Sequence, residues 1–527
     1  MLYYLSAVIM QTTRKDFIKT LGLSTLGLSF FSSFDSFGQN ENLPRSSPES
    51  QGVSSAGIRN FLKAAQESGL EWHSFMLLRH GNVVSEGWWK PFAAANKHTL
   101  YSLSKSFTSS AIGFLVSEGK ITVNDPLIQF FPAETPAAPS ENLKAMKIKH
   151  LLTMNTGHDS DTMPVFRKFE NQSWVKSFLE HPVVHAPGSH FLYNTGATYV
   201  LGAILHQVTG QTLEQYLQPR LFEPLHITGY DWEKSPQGLN TAGYGLRVST
   251  EDIAKFGQFY LQKGKWQGKQ LLPESWIAEA TSKQTTSQSG DNDWSQGYGY
   301  QFWRCKPGFY RGDGAYGQFC MVMPEQDAVL VMTCESFNLQ KTMNVAYEAI
   351  LPAILSEKMA ENPAELTALK QQIEALSLPV PTGNINSDLA SKYSDKIFEV
   401  EKNAFGITQI GFGLFADAGV LRVNQGQGIQ KIGFGWEKWK INPNKIKNPF
   451  PLVANAAAIP SKIASTATWL NNNTLQINFK FVDAVHGDKL TVNFEGDKVS
   501  VSFLNSVAEN NKANPDKREK LTGNLKA

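Results

Sequence analysis

The spacing of apolar residues changes along this chain of 527 residues, and the order of the changes restricts the folds open to it. Residues 75–87 read as two strands joined at a His-Gly-Asn turn, which predicts a β-hairpin. From about residue 102 to residue 290 helical and loop segments alternate, and strand patterns return in residues 297–305, 317–325 and 327–336. Strands followed by helices and then by strands again predict a sheet with helices packed on it, closed by a helix over about residues 339–358.

The C-terminal part of the chain has a different pattern. Residues 359–382 contain a polar helical stretch and a Pro-Val-Pro sequence, which we interpret as a linker after a domain spanning residues 45–358. In residues 383–527 apolar and polar residues alternate, most clearly in 475–503, which predicts a small antiparallel β domain. The charged tail after about residue 508 is expected to fray. Two roles are open for this domain: it is a purely structural appendage, or it binds a partner or a glycan.

The composition argues against some classes of partner and cofactor. A formal net charge of +2 gives no electrostatic reason to expect a nucleic acid or an acidic membrane as partner. Three cysteines, all within residues 305–334, are too few for a disulfide framework, and we expect small buried residues, although one pair could still join. No spacing of histidine and cysteine predicts a metal site, so neither a metal nor a cofactor is expected.

Residues 1–39 have the order of regions found in a secretory signal peptide. Arg14 and Lys15 precede an apolar run from Leu21 to Phe31, and polar and small residues follow it. The run is shorter than the roughly 20 residues that span a bilayer, so a stable membrane span is not expected. The pattern predicts export to the periplasm or the exterior. It resembles a twin-arginine signal whose second arginine is replaced by lysine, and a buried N-terminal helix is the alternative.

The sequence Ser102-Leu103-Ser104-Lys105 pairs a nucleophile with a base. A serine hydroxyl is a poor nucleophile unless a neighbouring group takes its proton. Positions i and i+3 share a helix face, so the Lys105 amine can lie beside the Ser102 hydroxyl, and it can act as a base if burial or a nearby cation lowers its pKa. Residues 117–120 and 173–176 repeat the pattern, but only Ser102 begins a long helix with an apolar face.

Tyr193 is a second candidate, in a turn that precedes a helical pattern. A tyrosine at this place could relay a proton to a leaving group, provided that nearby cations lowered its pKa. A single tyrosine in an apolar segment is more often a packing residue. The combination with Ser102 and Lys105 favours the catalytic interpretation.

These segments together resemble the serine β-lactamase-like family, which contains class C β-lactamases, DD-peptidases, related esterases and 6-aminohexanoate-dimer hydrolases. The resemblance covers about residues 45–355 and includes YSLSKSFTSSAIGFLVSEGKITVNDPLIQFFP, IKHLLTMNTGH, LRVSTEDIAKFGQFYLQKGKW and GAYGQFCMVMPEQDAVLVM. It implies an α/β (α+β) fold, in which helices flank an antiparallel sheet and a helical domain is inserted. It also implies an acyl-enzyme on Ser102, with Lys105 as base, Tyr193 in proton relay, and an oxyanion hole formed by backbone amides of Ser102 and of a strand residue near Gln318.

Two positions depart from the family's pattern. Thr195 stands where asparagine is usual and offers a hydroxyl in place of an amide. Gly312 stands where lysine or histidine is usual, in a region that holds a substrate carboxylate in β-lactamases and DD-peptidases, and Arg311, Asp313 and Gly314 beside it are candidate substrate-binding residues. Asp313 would repel a carboxylate unless Arg311 turned inward. We therefore expect a small ester, amide or peptide-like substrate; β-lactamase, D-amino-acid peptidase, DD-peptidase and slowly deacylating penicillin-binding sensor are the alternatives.

Overall fold

A computed structural model describes residues 42–166, 172–451, 460–511 and 513–526. These residues belong to one compact unit, Glu41–Ala527. The predicted signal peptide at residues 1–39 lies outside the described residues. Within those ranges, no helix is both long and apolar enough to cross a membrane.

The helices and strands of the described ranges follow in chain order. The α-helices are α1 (Ser55–Glu67), α2 (Ser104–Ser117), α3 (Glu141–Ala145), α4 (Ile148–Leu152), α5 (Met163–Phe166), α6 (Trp174–Glu180), α7 (Thr195–Thr209), α8 (Leu213–Leu217), α9 (Thr250–Leu261), α10 (Glu274–Thr281), α11 (Leu339–Ala349), α12 (Pro363–Glu374), α13 (Ala390–Tyr393) and α14 (Ser506–Asn510). The strands are β1 (Glu71–Arg79), β2 (Asn82–Trp88), β3 (His98–Thr99), β4 (Asp231–Trp232), β5 (Leu246–Val248), β6 (Lys265–Trp266), β7 (Lys269–Gln270), β8 (Trp303–Arg304), β9 (Tyr310–Gly314), β10 (Gln318–Met323), β11 (Ala328–Glu335), β12 (Lys396–Val400), β13 (Gln409–Leu414), β14 (Ala418–Asn424), β15 (Ile429–Trp436), β16 (Lys440–Ile446), β17 (Ser461–Asn471), β18 (Thr474–Phe481), β19 (Gly487–Glu495), β20 (Lys498–Asn505) and β21 (Leu521–Leu525).

The first sheet has the strand order β2-β1-β11-β10-β9-β8, and adjacent strands within it are antiparallel. The predicted hairpin at its edge is confirmed, because His80 and Gly81 turn the chain with φ angles of 49° and 75°. Side chains of β1 alternate between two cores, with Phe75 packed against Phe61 of α1 and Met76 in the core that contains Phe256 of α9. Helices therefore cover both faces of the sheet, as predicted.

Helices α2 to α8 form the inserted helical region between the two groups of strands. Helix α7 packs against α2, α4 and α6, and α2 begins beside the end of β9. This juxtaposition places residues from the sheet and from the helical region around the first turn of α2. The predicted closing helix is shorter than expected: α11 ends at Ala349, and Leu351–Ala353, which contains a proline, forms a 3-10 turn.

The C-terminal β domain is one antiparallel sheet in the strand order β15-β14-β13-β12-β21-β20-β19-β18-β17-β16, which closes on itself where β15 pairs with β17 in parallel. The alternation at 475–503 is confirmed, since Leu475, Ile477 and Phe479 are buried in its core. The expectation that the tail frays is wrong. Strand β21 pairs with both β12 and β20, and Arg518 is buried in an ion pair with Asp488.

The predicted linker contains ordered structure that packs on the preceding residues. Helix α12 lies against α1, where Arg59 and Glu365 form an ion pair at 2.7 Å. The β domain contributes Ala464 and Val482 to the apolar core that covers one face of the first sheet. The domain boundaries at residues 358 and 383 stay a prediction. The three cysteines are free and buried, as expected.

Candidate active site

Ser102 lies in the 3-10 turn Tyr101–Leu103, directly before α2. Lys105, in the first turn of α2, is 1% exposed. Its Nζ lies 3.1 Å from the Ser102 Oγ and donates a hydrogen bond of 2.8 Å to the carbonyl oxygen of Gly243. Thr195, the first residue of α7, has its hydroxyl oxygen 3.4 Å from the same amine. The turn, α2 and α7 thus bring two predicted site residues, Ser102 and Thr195, to the amine of a third, Lys105.

The surroundings of Lys105 favour the neutral amine. Burial lowers the pKa of Lys105 to about 7, although the charges of Asp161 and Asp313 act in the opposite direction. An amine with this pKa is neutral in a large fraction of molecules near neutral pH. The lysine can therefore accept a proton from the hydroxyl 3.1 Å away.

Tyr193 lies on the other side of the same amine. The Lys105 Nζ is 4.9 Å from the centre of the Tyr193 ring, and the indole of Trp303 stacks on that ring at 5.6 Å. Burial raises the pKa of Tyr193 even though a hydrogen bond with Ser102 acts to lower it. The charge of Arg311 also acts to lower this pKa, as the relay was predicted to need, but burial outweighs it. The resting side chain is therefore a phenol that can donate a proton.

Strained backbone flanks each of these groups. Tyr101, beside Ser102, has φ = 48°, and Ala242, beside the carbonyl that binds Lys105, has φ = 59°. Met154, whose sulfur accepts the amide of Asn194 next to Tyr193, has φ = 60°. A left-handed conformation costs a residue other than glycine about 1–3 kcal/mol and persists when its surroundings enforce it. Packing in this part of the fold therefore fixes the three segments that carry the candidate groups.

Close packing explains the glycines of β9. A Cβ atom on Gly312 would lie 2.0 Å from the Leu103 Cδ1, and one on Gly314 would lie 2.1 Å from the carbonyl oxygen of Leu100. The strand thus abuts the turn that carries Ser102. The residue at 312, where the family usually has a basic side chain, is a glycine because Leu103 occupies that space.

Arg311 and Asp313 form a buried ion pair. Arg311 is 0% exposed, its guanidinium Nη2 lies 2.9 Å from the Asp313 Oδ2, and its Nη1 donates to the carbonyl of Arg304. Its charge also lies 4.8 Å from the Trp294 ring. Asp313 is 8% exposed, and burial raises its pKa while Arg311 opposes that change. Arg311 is thus directed to Asp313 and to the backbone, and its positive charge is matched within the protein.

The other candidate residues have distinct positions. The side-chain amide of Gln318 donates to the carbonyls of Ala315 and Cys334, so it fastens neighbouring strands, while the role of its backbone amide stays a prediction. Asp161 was not anticipated. Its Oδ1 accepts the amide hydrogen of Thr195 at 2.9 Å, and its charge acts on both Lys105 and Tyr193. A single carboxylate in a loop has no sequence pattern that reveals such a position.

Comparison with known proteins agrees with this architecture. The Beta-lactamase family model matches residues 58–354, more than half of the chain. The chain is 23% identical to the 6-aminohexanoate-dimer hydrolase of Paenarthrobacter ureafaciens over 282 residues, which are 49% of this chain and 71% of that protein. It is 24% identical to a β-lactamase of Escherichia coli over 240 residues, 41% of this chain and 61% of the relative.

A solved structure of similar fold is the putative 6-aminohexanoate-dimer hydrolase from Bacillus anthracis. It shares 20% sequence identity with this chain, and the alignment covers 60% of this chain and 89% of that one, with a TM-score of 0.50. The family match and the antiparallel sheet with its inserted helices confirm the resemblance drawn from the sequence. The chain therefore belongs to the β-lactamase family and is an enzyme, a serine hydrolase.

Proposed function

We propose that this protein hydrolyses a small ester or amide through an acyl-enzyme on Ser102. The observation that carries the proposal is the buried Lys105 amine, 3.1 Å from the Ser102 hydroxyl and with a pKa of about 7. A serine hydroxyl becomes an effective nucleophile when a base at this distance takes its proton as the new bond forms.

The first half of the reaction assigns a proton to each group. The Ser102 Oγ bonds to the substrate carbonyl carbon, its proton passes to Lys105, and the carbonyl oxygen becomes an oxyanion. We assign the stabilisation of that charge to the backbone amides of Ser102 and of a strand residue near Gln318, which begins β10. The tetrahedral intermediate then expels the alcohol or amine, which takes the Tyr193 proton. The Lys105 ammonium returns a proton to the tyrosine oxygen.

The second half releases the acyl group. Water attacks the acyl carbon, loses its proton to the Lys105–Tyr193 pair, and the Ser102 oxygen leaves and is protonated. The acid product and the free enzyme result. The phenol and the amine share this work because the amine lies over the Tyr193 ring and beside the Ser102 oxygen.

The charges near the site favour a substrate without a carboxylate. Arg311 is paired with Asp313, and Gly312 provides no side chain for an anion. Asp161 adds a second negative charge close to Lys105. Anionic β-lactams and peptides that end in a carboxylate would meet these charges, so we favour neutral or amine-bearing substrates. The similarity to a 6-aminohexanoate-dimer hydrolase supports an amide as one such substrate.

Covalent labelling tests this proposal. Wild-type protein is incubated with a fluorophosphonate, analysed by intact-protein mass spectrometry, and assayed with p-nitrophenyl acetate and nitrocefin. We expect one label, ester turnover and little nitrocefin hydrolysis, and Ser102→Ala should lose both label and turnover. Ser117→Ala is the matched control, because Ser117 and Lys120 share the same spacing, and it should behave as wild type. A label that persists in Ser102→Ala would refute the mechanism, and rapid nitrocefin turnover would favour a β-lactamase.

We also propose that the protein is exported to the periplasm or beyond, on the basis of the signal-like order of residues 1–39. Fractionation of cells that express the full chain tests this. Recovery of the protein only with the cytoplasm would contradict it.

A further inference from the structure

A chain of hydrogen bonds links the C-terminal β domain to the residue before Ser102. The Tyr101 hydroxyl lies 2.6 Å from the Nε2 of His486, which stands in the turn between β18 and β19. The Nδ1 of His486 lies 2.6 Å from the Oε1 of Glu335, at the end of β11. The β domain thus contacts the nucleophile-bearing turn through one imidazole.

The direction of these hydrogen bonds follows from the charge of Glu335. Burial acts to raise its pKa, but the hydrogen bond from His486 and the charge of Lys480 outweigh this and lower the pKa to about 2. An ionised carboxylate only accepts hydrogen bonds, so the His486 Nδ1 donates to it. In the neutral ring the Nε2 is then an acceptor, and the Tyr101 hydroxyl donates to it.

A second side chain of the β domain fixes this arrangement. The Lys480 ammonium lies 3.1 Å from Glu335 and 2.5 Å from Glu71, whose carboxylate also contacts His73 at 2.8 Å. Carboxylate oxygens of Glu71 and Glu335 and a ring nitrogen of His73 lie within 4.8 Å of one another. Lys480 contacts both carboxylates of this cluster. The Glu335 side chain is 2% exposed, and a buried carboxylate deprived of such a partner is strongly destabilising. The position of His486 next to Tyr101 is therefore set by an interface that Glu335 requires.

The backbone at Tyr101 is sensitive to this contact. Tyr101 has φ = 48°, its ring packs against Tyr316 in the turn after β9, and the ring of Tyr316 packs in turn against His486. A shift of the ring would move the peptide that leads into Ser102 and the approach of β9 to that turn. Displacements of about 1 Å at a reacting group reduce rates by about 100-fold.

We propose that His486 is a positioning residue, which holds Tyr101 and through it the turn that carries Ser102, so that the C-terminal β domain completes the active site. The inference rests on the proposed role of Ser102 as nucleophile. It gives the β domain a function in the reaction that requires no separate partner or glycan.

Two conservative variants of the full-length protein separate positioning from simple charge compensation. In His486→Gln the amide oxygen can reach the position of Nε2 and accept from Tyr101, whereas in His486→Asn the shorter amide can replace Nδ1 and donate to Glu335. If His486 positions Tyr101, fluorophosphonate labelling of Ser102 slows about 10- to 100-fold in His486→Asn and less in His486→Gln. If His486 only donates a hydrogen bond to Glu335, labelling slows more in His486→Gln than in His486→Asn.

Hydrogen exchange of the backbone in residues 99–107 provides a readout that does not depend on activity. We expect faster exchange in His486→Asn than in wild type. Trp439→Phe is the matched control, because it removes another hydrogen bond of the β domain, from the indole to the carbonyl of Leu378, without touching Tyr101. It should change neither exchange nor labelling. Thermal melting of each variant identifies any that fail to fold.

The outcomes distinguish the two proposals. Labelling of wild type but not of Ser102→Ala, with equal labelling and equal exchange in all His486 variants, overturns the positioning role and leaves the proposed function intact. Labelling that persists in Ser102→Ala overturns the proposed function, and the exchange rates then decide whether His486 holds the turn. Faster labelling in His486→Asn than in His486→Gln also overturns the inference.

Discussion

The rate at which Ser102 is acylated should rise with pH around a midpoint near 7. A lysine with the ordinary pKa of 10.5 has about one neutral amine in 3,000 at pH 7, whereas a pKa of about 7 makes about half of the amines neutral. Burial of Lys105 thus increases the fraction of active base by about three orders of magnitude at this pH. Above the midpoint the rate should level off.

Asp161→Asn tests the electrostatic origin of this midpoint. The carboxylate of Asp161 stabilises the Lys105 ammonium and so raises the pKa of Lys105. Removing its charge disfavours the ammonium, so the pKa falls and the midpoint of the pH profile moves to lower pH. An asparagine retains the Oδ1 that accepts the amide hydrogen of Thr195, so the start of α7 should keep its geometry.

The assay is the second-order rate of fluorophosphonate labelling from pH 5 to pH 9, followed by intact-protein mass spectrometry. Labelling reports attack by Ser102 alone and does not include deacylation or product release. Asp159→Asn is the matched control, because it removes the same charge from an exposed residue two positions away that does not act on Lys105.

Three results would refute the role of Lys105 as base. The first is a profile that stays flat from pH 5 to pH 9 in the wild type. The second is a midpoint that moves to higher pH in Asp161→Asn. The third is an equal displacement in Asp161→Asn and Asp159→Asn, since that would reflect the overall charge and not a carboxylate next to the amine.

Two further predictions concern the same pair of groups. Lys105→Met should be inactive yet more resistant to urea than wild type at pH 6, because the fall in pKa from 10.5 to about 7 corresponds to about 5 kcal/mol of folding cost below pH 7. That cost declines as the pH rises toward 10.5, so a stability difference that does not narrow by pH 10 would contradict the assignment. Tyr193→Phe should lower kcat for an amide substrate about 100- to 10,000-fold, because the amine must leave with a proton. The loss with p-nitrophenyl acetate should be much smaller, since its leaving group is a stable anion, and equal losses would argue against proton donation by Tyr193.

The parts of the site that sequence predicts are those fixed by local geometry or by a recognisable segment. Ser102 and Lys105 are three residues apart, and helical geometry alone brings them together. The carbonyl of Gly243 and the carboxylate of Asp161 reach the same amine only through the packing of distant loops. Neither residue has a local pattern, because a backbone carbonyl is common to all residues and a lone acidic residue is usually solvated.

The same distinction explains which elements were anticipated. The hairpin of β1 and β2 has a recognisable His-Gly-Asn turn, and the strands β18 to β20 have clear alternation, so both were predicted. Strand β9 was not, because its sequence YRGDG contains two glycines and a buried ion pair in place of apolar side chains. The charged residues before strand β21 predict a frayed tail, yet the side chain of Arg518 among them is buried against Asp488, and the strand pairs on both edges. Long-range pairing of this kind has no signature in residue spacing.

The buried pair of Arg311 and Asp313 connects the choice of substrate to the strength of the base. The charge of Asp313 acts to raise the pKa of Lys105. The Arg311 guanidinium, 2.9 Å from the Asp313 carboxylate, is the counter-charge of Asp313. If Arg311 turned away to bind a substrate carboxylate, Asp313 would be left as a buried charge without its partner. Its field would then favour the Lys105 ammonium more strongly, and fewer amines would be neutral at pH 7. Binding an anion through Arg311 and activating Ser102 through Lys105 are therefore opposed in this site, which is the physical reason to expect substrates without a carboxylate.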